Sequence, residues 1–225
     1  MVLISIYAIS AILFTSALAE ASIRYMPFGA SIVQATCWRA YLWQHLQSTN
    51  YTNIDFVGSL SSSTQCGSPA INYDRDHEGH SGYLAIDIAD KGLLPGWLES
   101  SPAKIITMHL GTNDIREGYG TKAILAAYST LIDQMRASNA DMKIIVAQII
   151  PLPANDSAVV DLNAGIPAWA ASKNSSVSPI WVVDQYTGFL SSDLRDDGIH
   201  PNDSGDHKME AKWYTAMLQA IGSLG

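Results

Sequence analysis

The segment Phe28-Gly29-Ala30-Ser31-Ile32 decides the interpretation of this chain. The mostly apolar run that leads into it, residues 23–28, is typical of a β-strand. Gly29 permits a close backbone approach, and a helix that follows the strand would direct its first N–H groups at an anion beside Ser31. Gly-x-Ser triplets are common, but this placement predicts a strand, a tight turn and a serine at the edge of a sheet.

Apolar runs that predict strands alternate along the chain with patterns that predict helices. The predicted strands are residues 23–28, 54–57, 104–110, 143–150 and 180–183. The predicted helices are residues 38–47, 83–98 (with an interruption), 121–138, 161–172 and 205–221. The alternation indicates an α/β fold, a three-layer α/β/α sandwich with a five-stranded parallel sheet. Residues 59–82 are polar and predict a long loop, which in a compact domain is usually functional.

The residues that follow each strand are the candidates for chemistry, because ligands of such sheets bind beyond the carboxyl ends of the strands. Asn113 follows the third predicted strand, and Asp197 and His200 lie between the fifth strand and the last helix. A serine hydroxyl becomes nucleophilic when a base takes its proton, and a histidine oriented by a carboxylate is such a base. We therefore expect Ser31, His200 and Asp197 to act together, with Asn113 donating to the negative charge on the substrate oxygen.

Four motifs follow one another along the chain. They are Met26-Pro27-Phe28-Gly29-Ala30-Ser31-Ile32, Glu78-Gly79-His80-Ser81-Gly82-Tyr83, Leu110-Gly111-Thr112-Asn113-Asp114-Ile115 and Asp197-Gly198-Ile199-His200-Pro201. In this order they resemble the SGNH (GDSL-like) hydrolase superfamily and, within it, carbohydrate esterase family three, the acetyl xylan esterase group. The motifs span nearly the whole chain after residue 21, and the resemblance implies the flavodoxin-like SGNH hydrolase fold for this part.

The resemblance also implies a role for each catalytic residue. Ser31 matches the nucleophile, His200 the base and acid, and Asp197 the residue that orients the histidine. One position departs from the superfamily, since Ala30 stands where an Asp usually precedes the nucleophile. That Asp is not a member of the triad, so the departure bears on the support of the local loop and not on the reaction.

The oxyanion hole that the resemblance implies has three donors. Two are the Ser31 N–H and the Asn113 side chain, and the third is a glycine N–H. The best match for the glycine is Gly79, with Gly82 and Gly58 as alternatives.

The function implied by the resemblance is a serine esterase that removes acetyl groups from plant cell-wall polysaccharide, such as acetylated xylan, through an acyl-enzyme. One alternative is a short-chain or lipid-directed SGNH esterase, which would need a larger apolar acyl pocket or a lid. Another is a secreted carbohydrate-binding protein without activity. The intact set of Ser31, Asn113, Asp197 and His200 argues against the inactive protein.

Other reactive side chains have simpler interpretations. Ser81 is a rival nucleophile, but its Gly-His-Ser-Gly context lacks the last glycine of the G-x-S-x-G elbow, so structural roles are expected for Ser81 and His80. The histidines match no metal motif and two cysteines cannot build a cysteine-rich zinc site, so no metal and no cofactor are expected.

Composition restricts the partners. The chain has 225 residues, 48% of them hydrophobic, which suits one domain with a substantial core. Its formal net charge is -8 and no basic run occurs, which argues against nucleic acid or an anionic membrane as a partner. We expect a monomer that acts on an acetylated polysaccharide or a small ester.

The first 21 residues predict a signal peptide, which leaves residues 22–225 as one SGNH esterase catalytic domain. Their apolar core is followed by small residues, with cleavage frames that end at Ala19 or Ala21. The alternative, a short membrane anchor, would need about 20 apolar residues. The predicted mature protein is soluble and extracellular.

An extracellular location suits two further features. Cys37 and Cys66 form an even pair, which in a secreted chain suggests a disulfide, although two free thiols are the alternative. N-x-S/T sequons begin at Asn50, Asn155, Asn174 and Asn202. Asn202 is the least plausible glycan site because it lies beside the predicted base, His200.

Overall fold

The computed structural model describes residues 22–224, so the predicted signal peptide lies outside the described residues. The strands are β1 (Ile23–Gly29), β2 (Ile54–Phe56), β3 (Leu60–Ser61), β4 (Asp76–Gly79), β5 (Ile105–His109), β6 (Lys143–Gln148) and β7 (Ile180–Asp184). The helices are α1 (Ser31–Gln34), α2 (Trp38–Gln47), α3 (Ala85–Asp90), α4 (Leu93–Ser100), α5 (Thr112–Arg116), α6 (Thr121–Ser138), α7 (Asp156–Lys173) and α8 (Asp203–Gly222). Single 3-10 turns occur at Pro153–Asn155 and Ser191–Asp193.

Strand β1 occupies the centre of a mostly parallel sheet, and the predicted α/β/α architecture is confirmed. On one side β1 pairs with β5, and β6 and β7 continue the sheet in parallel. On the other side two short strands share the position next to β1: β2 pairs with its first half and β4 with its last two residues. Strand β3 adds an antiparallel edge beside β4. The carboxyl end of β1 therefore lies between β4 and β5.

The expected strand number was wrong, because within residues 22–224 the sheet has seven strands and not five. The two additional strands, β3 and β4, lie inside residues 59–82, which were predicted to be a loop. Strand β4 buries His77 and Glu78 completely. A strand whose buried residues are polar lacks the apolar pattern by which strands are recognised, and β3 has only two residues.

Helices cover both faces of the sheet, and the alternation along β6 demonstrates this. Ile144 and Val146 belong to the core on the face that α3, α4, α6 and α7 cover. Ile145 and Ala147 belong to the core beneath α2 and α8. All four side chains are at most 1% exposed, as expected of a parallel strand that is buried on both faces. Among the described residues, no helix is both long and apolar enough to cross a membrane.

A buried carboxylate joins the two helices that cover the second face. Asp206 in α8 accepts hydrogen bonds from the backbone N–H groups of Cys37 (2.9 Å) and Trp38 (3.2 Å), which begin α2. Burial raises the pKa of the Asp206 carboxyl to about 7, although these hydrogen bonds lower it. Next to this contact the rings of Trp38 and Trp213 lie 5.7 Å apart. The polar cap and the tryptophan pair fix α2 against α8.

Cys37 and Cys66 are bonded to each other, with their Cα atoms 5.5 Å apart. The bond links the residue before α2 to the segment between β3 and β4, and Cys66 is only 2% exposed. Ala40 and Tyr73 pack with Cys66 in a small separate core. The disulfide therefore anchors the long connection that leads into β4.

Removal of this disulfide is expected to destabilise the fold. The cysteines are 29 positions apart, and cross-linking a loop of that length stabilises by about 3–4 kcal/mol through the lost entropy of the unfolded chain. The Cys37→Ser/Cys66→Ser double variant should lose about this free energy in urea unfolding. Equal midpoints and slopes for the variant and the oxidised wild type would contradict the prediction.

Candidate active site

Ser31 lies where β1 ends and α1 begins, at the centre of the sheet edge. Gly29 precedes it at the closest backbone contact, since a Cβ at this position would lie 2.5 Å from the His109 carbonyl oxygen. Ala30 closes the turn through its carbonyl oxygen, which accepts from the N–H groups of Val33 and Gln34. Backbone bonds thus support the position at which the superfamily usually has Asp. As the first residue of a helix, Ser31 has an N–H without an acceptor inside that helix.

His200 and Asp197 reach this serine from the other end of the chain. The Nε2 atom of His200 lies 2.8 Å from the Ser31 Oγ, although 169 positions separate the two residues. The Nδ1 atom of His200 lies 2.7 Å from Asp197 Oδ2. The structure therefore brings together the three residues that were expected to act as nucleophile, base and orienting acid, in one hydrogen-bonded chain.

The turn that carries Asp197 fixes the ionisation of its carboxyl. Partial burial would raise the pKa of Asp197, but hydrogen bonds from the His200 backbone and side chain and from the Ile199 N–H lower it to about 2. Both N–H groups lie 2.9 Å from Oδ1. Gly198, with a φ of 66°, permits the tight turn. At neutral pH the carboxylate is ionised, so His200 Nδ1 holds a hydrogen and Nε2 accepts from the serine hydroxyl.

Two side chains attach the Asp197–His200 turn to the rest of the molecule. Arg195 donates from Nε to the Pro201 carbonyl oxygen (2.9 Å) and from a terminal nitrogen to the Ala35 carbonyl oxygen (3.2 Å), just after α1. Asn202 caps α8 by accepting from the Gly205 N–H at 3.2 Å. The turn that carries His200 is therefore held both to the end of α1, which begins with Ser31, and to α8.

The Asn202 amide group also has two acceptors of its own. Its nitrogen donates to the carbonyl oxygens of Ser192 (2.8 Å) and Leu194 (3.1 Å). The side chain thus connects α8, the 3-10 turn and the segment that leads to the base.

Asn113 lies in α5, which begins after β5, and is 8% exposed. Its Nδ2 donates to the Tyr83 carbonyl oxygen at 3.0 Å. The neighbouring Asp114, fully buried, accepts from the N–H groups of Ala85 (2.9 Å) and Ile86 (3.1 Å) at the start of α3. Burial raises the pKa of Asp114, while these hydrogen bonds oppose the rise. The motif around Asn113 therefore positions the residues that follow Gly82.

The segment from His80 to Tyr83 forms a rim beside the end of β1 and beside α1. The His80 N–H donates to the Gly29 carbonyl oxygen (3.0 Å) and the Ser81 N–H donates to Gln34 Oε1 (2.9 Å). Gly82 has a φ of 83°, and within residues 22–224 its N–H has no acceptor. The Asn113 amide is hydrogen-bonded to the carbonyl oxygen of Tyr83, the residue that follows Gly82.

The two other candidate glycines, Gly79 and Gly58, lie where the backbone of β4 packs closely against its neighbours. The Gly79 N–H donates to His77 Nδ1 at 3.0 Å. A Cβ on Gly79 would lie 2.9 Å from Val33, so this glycine allows β4 to pack against α1. Gly58 packs against the backbone of His77, where a Cβ would approach within 2.1 Å. Gly79 is thus set apart from Gly82 by its bonded N–H, and Gly58 by its tight packing against β4.

Ser81 and His80 have structural partners. The Ser81 hydroxyl donates to Gln34 Oε1 and not to a histidine. His80 Nε2 lies 2.6 Å from the fully buried Glu78, which also accepts from the Ser59 N–H and hydroxyl at 2.7 Å each. Sequence reasoning included Glu78 in the second motif but gave it no role, and it missed Gln34, which lies outside the four motifs.

A pocket beside Ser31 is small. It is lined by Ala30, Ser31 and Ile32 and by residues 109–113. Its free space is about 10 Å³, close to the room that one water molecule needs. Only a short group can enter beside the serine without moving a wall.

The sequence of residues 28–208 matches the model of the GDSL-like lipase/acylhydrolase family. A carbohydrate esterase family 3 structure from Talaromyces cellulolyticus is 35% identical, with a TM-score of 0.85 over 90% of this chain and 100% of that chain. An acetyl esterase, crystallised as a serine-to-alanine variant with an acetate ion, is 33% identical, with a TM-score of 0.84 over the same shares.

A relative of known sequence is longer than this chain. It is a multidomain esterase from Ruminococcus flavefaciens, 30% identical over 222 residues. The match covers 87% of this chain and 28% of the relative, so this chain spans little more than a quarter of that protein. All three similar proteins are esterases by description.

His109, at the back of the Ser31 pocket, is expected to make the fold sensitive to acid. Burial lowers the pKa of His109 to about 4, from an ordinary value of 6.5. Between pH 6.5 and 4 the His109 side chain is therefore protonated in the unfolded chain but not in the folded chain. As the pH falls through this range, the free energy of unfolding decreases. The loss should approach about 3 kcal/mol, at about 1.4 kcal/mol per pH unit.

The measurement is urea unfolding of the wild type and of His109→Gln at several pH values. Asp206, whose pKa is raised to about 7, has the opposite effect over this range but is common to both proteins. The stability advantage of the wild type over the variant should shrink as the pH falls. A difference that does not change with pH would contradict the assignment.

Proposed function

Since the chain belongs to the GDSL-like lipase/acylhydrolase family, we propose that it is a secreted serine esterase that removes acetyl groups from plant cell-wall polysaccharide such as acetylated xylan. The chain is a carboxylic ester hydrolase close to the carbohydrate esterase family 3 acetyl esterases. The observation that most supports the proposed chemistry is the hydrogen-bonded chain from Ser31 through His200 to Asp197, with distances of 2.8 and 2.7 Å.

In the proposed reaction the Ser31 Oγ attacks the acetyl carbonyl carbon while His200 Nε2 takes the hydroxyl proton. Asp197 keeps the ring in position and stabilises the imidazolium. Collapse of the tetrahedral intermediate breaks the bond to the sugar oxygen, which leaves as an alcohol with the proton from His200. Water then attacks the acetyl-serine, again with His200 as base, and acetate and free Ser31 result.

The charge on the tetrahedral oxygen needs donors that are in place beforehand. The proposed donors are the Ser31 N–H, the Asn113 side-chain amide and the Gly82 N–H. Gly82 is preferred to Gly79 because the Gly79 N–H already donates to His77. Asn113 uses one amide hydrogen for the Tyr83 carbonyl oxygen and has a second for the substrate.

The proposed preference for acetyl groups follows from the pocket beside Ser31. Ile32 and Leu110 narrow it on two sides. A longer acyl chain gains about 0.8 kcal/mol per CH₂ only where an apolar groove can bury it. Within residues 22–224 the space next to the serine is too small for such a chain.

The proposal of secretion depends on residues 1–21 and on composition. An apolar leader with small residues before Ser22 is typical of a signal peptide. A disulfide between Cys37 and Cys66 suits an oxidising compartment. Three of the four sequon asparagines, Asn50, Asn155 and Asn174, are exposed and could accept glycans there.

Replacement of the proposed nucleophile tests the chemistry. Ser31→Ala should remove nearly all turnover of p-nitrophenyl acetate, and His200→Ala should be about as damaging because members of a triad act as a unit. Ser81→Ala is the matched control, since Ser81 is a serine that is bonded to Gln34. Circular dichroism and thermal unfolding check the folds. Wild-type rates for a folded Ser31→Ala would contradict the mechanism.

The acyl preference is tested with p-nitrophenyl acetate, butyrate and octanoate. The value of kcat/KM should fall as the chain lengthens, because added methylenes meet the wall of the Ser31 pocket and are not buried. Leu110→Ala, which widens that pocket, should recover part of the butyrate rate. A wild-type preference for octanoate would replace the polysaccharide proposal with a lipid-directed one and leave the triad unaffected.

A further inference from the structure

A second, larger cavity opens at the carboxyl ends of β6 and β7. Its volume is about 590 Å³, within the range of pockets that hold small ligands. Pro151, Pro153 and Asp156 line one wall, and residues 186–191 line the other. The reaction described above does not use any of these residues.

The position of this cavity relates it to Ser31. The strands follow in the order β1, β5, β6, β7, and neighbouring strands lie about 4.8 Å apart. The cavity is therefore two to three strands from the serine along the same sheet edge, or roughly 10–15 Å. A molecule that fills it while an ester of its own lies at Ser31 must be longer than a single sugar ring.

Both walls are attached to elements of the active site. On one wall, the Asn155 side chain donates to the Ile115 carbonyl oxygen at 3.4 Å, in the helix that holds Asn113. On the other, the Asn202 N–H donates to the Asp193 carbonyl oxygen at 2.8 Å, two residues beyond His200. The cavity and the triad therefore belong to one continuous edge.

The lining combines apolar surface with hydroxyls and a carboxylate. The prolines and Leu190, which is 58% exposed, supply apolar faces. Tyr186 donates its hydroxyl to Asp156 Oδ2 at 2.7 Å. The other oxygen, Oδ1, is shielded from solvent, so a molecule in the cavity does not reach it. What the wall offers a ligand is therefore the hydrogen-bonded pair of Asp156 and Tyr186 beside the apolar faces.

A sugar ring matches this chemistry. Its faces of C–H groups suit proline, leucine and the tyrosine ring, and its hydroxyls are partners for Thr187, Ser191 and the Asp156–Tyr186 pair. An acyl chain does not match, because its methylenes would cover these polar groups without offering them hydrogen bonds. The negative charge in the wall also disfavours an anionic ligand.

We propose that this cavity is a subsite for a sugar residue of the polysaccharide main chain, one that is separated from the acetylated sugar at Ser31. The inference rests on the proposed function, since it requires an acetylated saccharide as substrate. The subsite would make affinity depend on the length of the saccharide. Short substrates would contact the triad alone, and longer ones would also bind at the carboxyl ends of β6 and β7.

The experiment compares acetylated xylose with acetylated xylotetraose, and p-nitrophenyl acetate serves as a substrate that cannot reach the subsite. For the wild type, kcat/KM should be roughly tenfold higher for the tetrasaccharide than for the monosaccharide, mainly through KM. Asp156→Ala and Leu190→Ala should remove most of this advantage. Their activity on p-nitrophenyl acetate should equal that of the wild type, which also checks that they fold.

Matched controls are Asp161→Ala, which removes an exposed carboxylate from the same helix α7, and Val177→Ala, which shortens a side chain that is 56% exposed. Both should keep the advantage of the tetrasaccharide. An equal kcat/KM for the two saccharides in the wild type, or subsite variants that behave like the controls, would overturn the subsite alone. Turnover of p-nitrophenyl acetate without turnover of any acetylated saccharide would overturn the proposed function and the subsite with it.

Discussion

The hydrogen bond between Ser31 and His200 can form only if two segments 169 positions apart meet at one edge of the sheet. The parallel sheet satisfies this condition because the strands end at a common edge. Ser31 follows the central strand β1, and the segment after β7 returns across β6 and β5 to reach it. Helix α8 then packs along α2, and Asp206 and the Trp38–Trp213 pair hold these two helices together. The position of His200 beside Ser31 therefore depends on the whole fold.

Buried carboxylates support the elements that surround the nucleophile. Asp206 holds the start of α2, Asp114 holds the start of α3, and Glu78 holds Ser59 and His80. Each carboxylate has at least two hydrogen-bond donors, which offset the cost of taking a charged or polar group out of water. Such bonds are directional in a way that apolar contacts are not. They suit a site where the donors for the oxyanion must be in place before the reaction begins.

The amino-acid sequence predicts the regular part of this fold well and the polar part poorly. Strands with apolar runs, such as β5 and β6, lie within one or two residues of their predicted bounds. Strand β4 was missed because it buries His77 and Glu78. Helix α7 begins at Asp156 and not at residue 161, and its additional turn contributes Val159, which is buried at helical spacing from Leu162. Motif order brought Ser31, Asp197 and His200 together as the proposed triad, but the choice between Gly79 and Gly82 depends on which N–H is already bonded, and no sequence pattern records that.

Glycosylation of Asn202 would conflict with the hydrogen bonds that its side chain makes in the folded protein. A glycan is attached through the amide nitrogen and replaces one of its hydrogens, whereas both hydrogens here are donated, to Ser192 and Leu194. A sugar on Asn202 would take the donor away from one of those carbonyl oxygens, two residues from His200. In the sequon Asn202-Asp203-Ser204, a glycan and the native hydrogen bonds therefore require the same amide hydrogen, and only one of the two can have it.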